Sequence, residues 1–178
     1  EPMQQMAMGM ANSESPSSGD TGSDYVSAAE QLVDQALAYL GVRYRFGGTS
    51  PETGLDCSGL VLNVFRNAIG FDLPRTAAEM SRLGDKIGRQ ELKPGDLVFF
   101  KTRRYAKYPT HVGIFIGDGN FIHASSGKSR LGVKIDTLSS GYYSGAYIGA
   151  TRIKGNVDAA SSQGPEATQP TERSSNNS

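Results

Sequence analysis

The 178-residue chain contains a single cysteine, Cys57, and two histidines, His111 and His123. Together they suit nucleophilic catalysis. A thiol attacks well once ionised, and either a helix N-terminus or an imidazole that takes its proton can ionise it. A second imidazole bonded to the first can hold its tautomer and orientation, the part played by Asp or Asn in other triads. Each residue also has a plainer reading. A cysteine that opens a helix is commonly a small core residue, and a strand histidine a satisfied polar one, so it is the combination that favours chemistry. The same set could hold zinc with an open fourth position, but separations of 54 and 12 residues match no compact ligand motif. No metal or other cofactor is expected.

The elements that must position these residues are legible. A loop with Gly47, Gly48 and Gly54 leads into Asp56-Cys57-Ser58-Gly59, and Leu60, Val61, Val64, Phe65 and Ala68 continue at helical spacing to a stop at Gly70. This puts Cys57 at a helix N-terminus. Gly47 and Gly48 are expected to adopt positive backbone dihedrals, and Gly59 to allow close packing in the first helical turn. An earlier helix, capped by Ser23 or Asp24, repeats Val26, Ala29, Val33, Ala36, Leu37 and Leu40 before a turn at Gly41. A short third helix starts at Thr76, with Glu79 completing a capping box.

Strands follow the helices. Pro94-Gly95-Asp96 turns into Leu97-Val98-Phe99-Phe100, and Val112, Ile114 and Ile116 alternate with Gly113, Phe115 and Gly117. After the turn at residues 117–120 come Phe121-Ile122-His123-Ala124, then strands near Val133 to Ile135 and Tyr147 to Ile153. This order predicts an α+β fold with an antiparallel sheet packed against helices. If Val112, Ile114, Ile116, Ile122 and Ala124 share the buried face, the period of two sets His111 and His123 together on the other face. Such a register implies an odd loop of about three or five residues in the hairpin.

Composition narrows the function classes. Lys plus Arg and Asp plus Glu each total 18, which removes the polycation argument for nucleic-acid or membrane-surface binding. The charge is uneven, with 17 basic and 12 acidic residues between Asp24 and Lys154 and acidic, polar flanks. Residues 1–23 read as a flexible leader and 155–178 as a disordered tail, leaving 24–154 as one domain. No apolar run reaches the roughly 20 residues needed to span a bilayer. Membrane anchoring would have to come through a leader not visible in this sequence. Lys101, Arg103, Arg104 and Lys107, interleaved with Tyr105 and Tyr108, form a basic cluster ahead of His111. It reads as a solvated loop that borders the cleft rather than as a nucleic-acid site.

Six blocks, in order, resemble the successive motifs of the NlpC/P60 family of papain-like cysteine peptidases: Gly41-Val42-Arg43-Tyr44-Arg45-Phe46-Gly47-Gly48, Leu55-Asp56-Cys57-Ser58-Gly59-Leu60-Val61, Leu73-Pro74-Arg75-Thr76, Gly95-Asp96-Leu97-Val98-Phe99-Phe100, His111-Val112-Gly113-Ile114-Phe115-Ile116-Gly117 and Phe121-Ile122-His123-Ala124. The resemblance runs from Val42 to Ile153. It implies Cys57 as nucleophile, His111 as general base and His123 as the third, polar member; hairpin geometry alone does not tell the two histidines apart. It further implies that Tyr44 and the Cys57 N–H stabilise an oxyanion, and that Asp56 and Ser58 contact the amine and backbone of a stem peptide. Without the motif, Tyr44 reads as a core aromatic and Asp56 as a helix cap.

The implied function is a murein endopeptidase that cuts a stem-peptide amide at diaminopimelate, with the D-alanyl crosslink favoured over the γ-D-glutamyl bond. A monomer acting on peptidoglycan in the cell envelope, periplasmic or anchored to the outer membrane, is expected. The alternatives are an acyltransferase or amidase on the same fold and an inactive wall-binding module.

Overall fold

The computed structural model describes residues 21–127 and 132–154, so the leader and tail expected from composition lie outside the described residues apart from the start of the first helix. Helix α1 (Thr21–Ala38) begins ahead of Ser23 and Asp24, which therefore lie inside it instead of capping it. Among its residues of described burial Leu32 and Ala36 are the buried ones, whereas Leu37, and Leu40 just beyond the helix, both expected on the apolar stripe, are exposed. Gly41, with φ +85°, then turns the chain and donates its N–H to Val133 O. A two-strand ribbon of β1 (Thr49–Ser50) and β2 (Gly54–Leu55) brings the glycine-rich loop back to the start of α2 (Cys57–Ile69).

Helix α2 starts and stops where its sequence dictates. Asp56 is the N-cap, accepting the Gly59 N–H at 2.7 Å, and Gly70 ends the helix in the left-handed region with its N–H on Arg66 O. Leu60, Val61, Val64 and Phe65 are wholly buried. The capping box at Thr76 opens α3 (Ala77–Met80), with Thr76 Oγ1 accepting from Glu79 N and bonded to Glu79 Oε1.

The main sheet comprises β3 (Asp85–Ile87), β4 (Leu97–Phe100), β5 (His111–Gly117), β6 (Asn120–Ser125), β7 (Gly132–Thr137) and β8 (Tyr147–Arg152), ordered β3-β8-β4-β5-β6-β7 and antiparallel throughout. Both its faces are covered. On one, Leu97, Phe99, Val112, Ile114, Ile122 and Ala124 pack with α1 and α2; on the other, Val98, Phe100, Phe115, Phe121 and Ala150 form a smaller core with Tyr143 and Tyr147. Tyr143 comes from α4 (Gly141–Ala146), a short helix that the sequence reading missed, as it missed β1, β2 and β3. Two glycines in α4 oppose helix propensity, and strands of two or three residues carry no period.

The β5–β6 hairpin corrects one expectation. Ile114 faces Ile122 and Phe115 faces Phe121, the parity that sets His111 and His123 on one face. Yet the loop is the two-residue turn Asp118-Gly119, both with positive φ, and Gly117 faces Asn120. A bulge between Phe115 and Gly117 supplies the odd residue that the loop was expected to contain.

Candidate active site

The N-terminus of α2 enters the site through two close backbone approaches. A Cβ on Gly59 would stand 2.1 Å from Gly48 O, and one on Gly48 would stand 2.2 Å from Gly54 O. Gly47 has the expected positive φ, but Gly48 does not; its need for glycine is this close contact. The tight loop delivers Cys57, half-buried, to the end of the sheet where β5 begins. There the Val112 N–H meets the thiol, next in chain to His111.

His111 and His123 lie on the sheet face that carries Phe100, Phe121 and Tyr143. His111 Nε2 is 2.7 Å from His123 Nδ1, with the rings edge to face. His123 is fully buried, and its Nε2 lies 2.7 Å from Asp136 Oδ2 on β7. The Tyr143 ring stacks on His111 and meets His123 edge-on. Asp136 and Tyr143 are the neighbours that sequence reasoning missed. Alternation along β7 could have found Asp136, because Val133 and Ile135 share one face and leave Lys134 and Asp136 on the face of His123.

Electrostatics in the free protein oppose the expected thiolate. Burial, then the Asp56 carboxylate, pushes the Cys57 thiol above its ordinary range, while the backbone N–H groups of Val112, Ser58 and Cys57 pull the other way. Burial also pushes both histidines well below the ordinary imidazole range, aided at His111 by repulsion from His123; at His123 the Asp136 carboxylate opposes the shift. The thiol and both imidazoles are therefore neutral at rest. Proton removal must accompany attack on a substrate.

The other sequence candidates surround Cys57. Burial, then Cys57 and Asp56, raises the pKa of Tyr44, whose hydroxyl bonds the Ser126 side chain; Arg103 acts in the opposite sense. Thus the basic loop borders the site. Asp56 is a cap and something more: Arg75 reaches its two oxygens at 3.2 and 2.7 Å and Ser58 Oγ at 2.6 Å. Asp56 Oδ1 also takes the Gly59 N–H and the Ser58 hydroxyl, whereas among the described residues Oδ2 receives only Arg75 and keeps acceptor capacity. Among the described residues no cluster of His, Cys, Asp and Glu is arranged to hold a metal ion.

Comparison with known proteins agrees with this architecture. Residues 41–152 match the NlpC/P60 family. Among curated relatives, murein DD-endopeptidase MepH of Escherichia coli is 41% identical over 128 residues, covering 71% of this chain and 46% of that protein. Gamma-DL-glutamyl hydrolase of Bacillus subtilis is 41% identical over 130 residues, covering 73% of this chain and 30% of that one. The chain thus spans less than half the length of both. A solved NlpC/P60 family protein from Bacillus cereus superposes with a TM-score of 0.63 at 34% identity, covering 70% of this chain and 39% of that one. The NlpC/P60 domain of peptidoglycan hydrolase SagA gives 0.61 at 29% identity, covering 70% and 98%. A family pattern spanning the glycine-rich loop, the cysteine helix and every strand from β3 to β8, joined to the same fold in solved relatives, means that this chain belongs to the NlpC/P60 family and has its papain-like α+β fold.

Proposed function

We propose that this chain is a cysteine peptidase that hydrolyses stem-peptide amides of peptidoglycan at diaminopimelate, with the D-alanyl crosslink the favoured bond and the γ-D-glutamyl bond the next. The observation that carries the reading is a lone thiol at a helix N-terminus, held against the backbone beside a hydrogen-bonded histidine pair. Family membership supports it, as do relatives named for murein DD-endopeptidase and gamma-DL-glutamyl hydrolase activity. Those two relatives are equally similar to this chain, so the choice between the two bonds is left to the fragments that digestion releases.

In the proposed reaction the Cys57 thiol gives its proton to His111 as sulfur attacks the carbonyl carbon. The Cys57 N–H and the Tyr44 hydroxyl receive the oxyanion. The C–N bond then breaks, His111 returns the proton to the departing amine, and a thioester remains on Cys57. Water, losing a proton to His111, attacks the thioester and releases the acid and the thiol. Asp56 Oδ2 and Ser58 are suited to the amine and backbone of the stem peptide, with Arg75 fixing both side chains. The protein is expected to work as a monomer in the cell envelope.

Digestion of purified peptidoglycan by the chain and by Cys57→Ala, with fragments identified by mass spectrometry, tests this. Conversion of crosslinked dimers to intact monomers identifies crosslink cleavage, and truncated stems identify the γ-D-glutamyl bond. Sacculi left unchanged by the unsubstituted chain would overturn the proposal.

A further inference from the structure

Asp136 carries a contact that the thiol-histidine chemistry above does not use. Its Oδ2 lies 2.7 Å from Nε2 of a fully buried histidine, and a carboxylate at that distance can only accept. His123 must therefore carry its proton on Nε2. In neutral His123 the bare Nδ1 then accepts from His111 Nε2–H across 2.7 Å. By elimination, Nδ1 of His111 is the one unprotonated nitrogen that accepts no hydrogen bond within the pair. We propose that Asp136 is a positioning residue for the reaction proposed above, holding the histidine pair in the one tautomeric arrangement in which His111 Nδ1 is free to take the thiol proton.

The opposite arrangement explains why such a residue matters. If His123 carried its proton on Nδ1, it would donate to His111 Nε2, and His111 would hold its own proton on Nδ1. A base so arranged cannot accept from Cys57. When His111 does take a proton, the Asp136 charge also stabilises the imidazolium through His123, and no transfer to the carboxylate is required. The groups facing this contact come from several elements. Lys134 Nζ, on β7, is 3.3 Å from the same Oδ2 and weakens the carboxylate's pull; Tyr143, on α4, faces both rings, with its hydroxyl on the Ser125 side chain; Cys57 approaches from α2.

The proposal rests on the peptidase reading, so its test has an arm without substrate. Nitrogen-15 imidazole spectra of the full chain at neutral pH should show protonated Nε2 and bare Nδ1 on both histidines. Asp136→Ala should bring in the Nδ1-protonated form of His123. On crosslinked muropeptides Asp136→Asn, which can orient its amide either way, should lose about tenfold to a hundredfold in kcat with KM little changed. The limb of the kcat/KM profile set by the histidines should move to lower pH in Asp136→Asn and to higher pH in Lys134→Gln, a sign reversal that a merely structural role does not produce. A protonated Nδ1 on His123 in the unsubstituted chain, or limbs that stay put in both variants, overturns the proposal. Should Asp136→Ala fail to fold, the isosteric Asp136→Asn and Lys134→Gln decide it. If the unsubstituted chain leaves peptidoglycan intact, the peptidase reading fails, and the spectra still judge the role of Asp136.

Discussion

At the scale of single residues, the state of Cys57 is a contest between a helix N-terminus and its surroundings. Backbone N–H groups favour the thiolate, but burial and the Asp56 carboxylate outweigh them. Alkylation by iodoacetamide should therefore be no faster at pH 7 than that of an ordinary thiol, and should climb as pH rises beyond the usual thiol range. A rate already at its plateau at neutral pH would contradict that. Sequence alone points the other way, because helix position is visible in a sequence and desolvation is not. Tyr44 offers a second test, since its hydroxyl stands by the cysteine. Tyr44→Phe should lower kcat by about a hundredfold on crosslinked muropeptides, the usual loss of one oxyanion donor, with little change in KM.

At the scale of elements, two connections act on the site without entering it. The basic loop between β4 and β5 is tied at its ends by Thr102 N to Thr110 Oγ1 at 2.8 Å, and Arg103 is close enough to influence Tyr44. Replacing Arg103 and Arg104 together by Glu should weaken binding of stem peptides, which carry carboxylates, at low salt, and added salt should narrow the difference. Binding that is unchanged at low salt would remove the loop from recognition. The second connection is structural. Asp96 is fully buried at the start of β4, takes the Lys93 N–H, and pairs with Arg152 at the end of β8 at 2.8 and 2.9 Å. Asp96→Ala should cost about 3 kcal/mol in urea unfolding, because it strips a carboxylate from a largely buried guanidinium.

For the whole molecule, the depressed histidines couple the site to stability. Both imidazoles bind protons less readily in the folded chain than in the unfolded one, so the unfolded state takes up more protons once pH falls below about 6.5. Stability should hold above that pH and decline below it, by up to about 1.4 kcal/mol per pH unit for each histidine. Urea melts between pH 7 and 5 measure this. His111→Gln should flatten the slope, and equal slopes in both proteins would assign acid sensitivity to other groups.

The sequence by itself determined the helix around Cys57, its caps at Asp56 and Gly70, the strands that carry both histidines, and their placement on one sheet face. Each follows from local periodicity, a capping side chain or a turn residue, which neighbours along the chain enforce. It also contained the motif order by which the family is recognised. Tertiary structure decided the rest. That the hairpin keeps its parity by a bulge and not by a longer loop depends on how both sheet faces pack. That Cys57 rests as a thiol depends on burial and on a carboxylate held in place by Arg75. Asp136, 13 residues beyond His123, reaches it only because β6 and β7 pair, and α4 forms over the histidines around one packed tyrosine. Such effects arise between segments distant in sequence, where burial and charge act through space, and a local pattern carries no record of them.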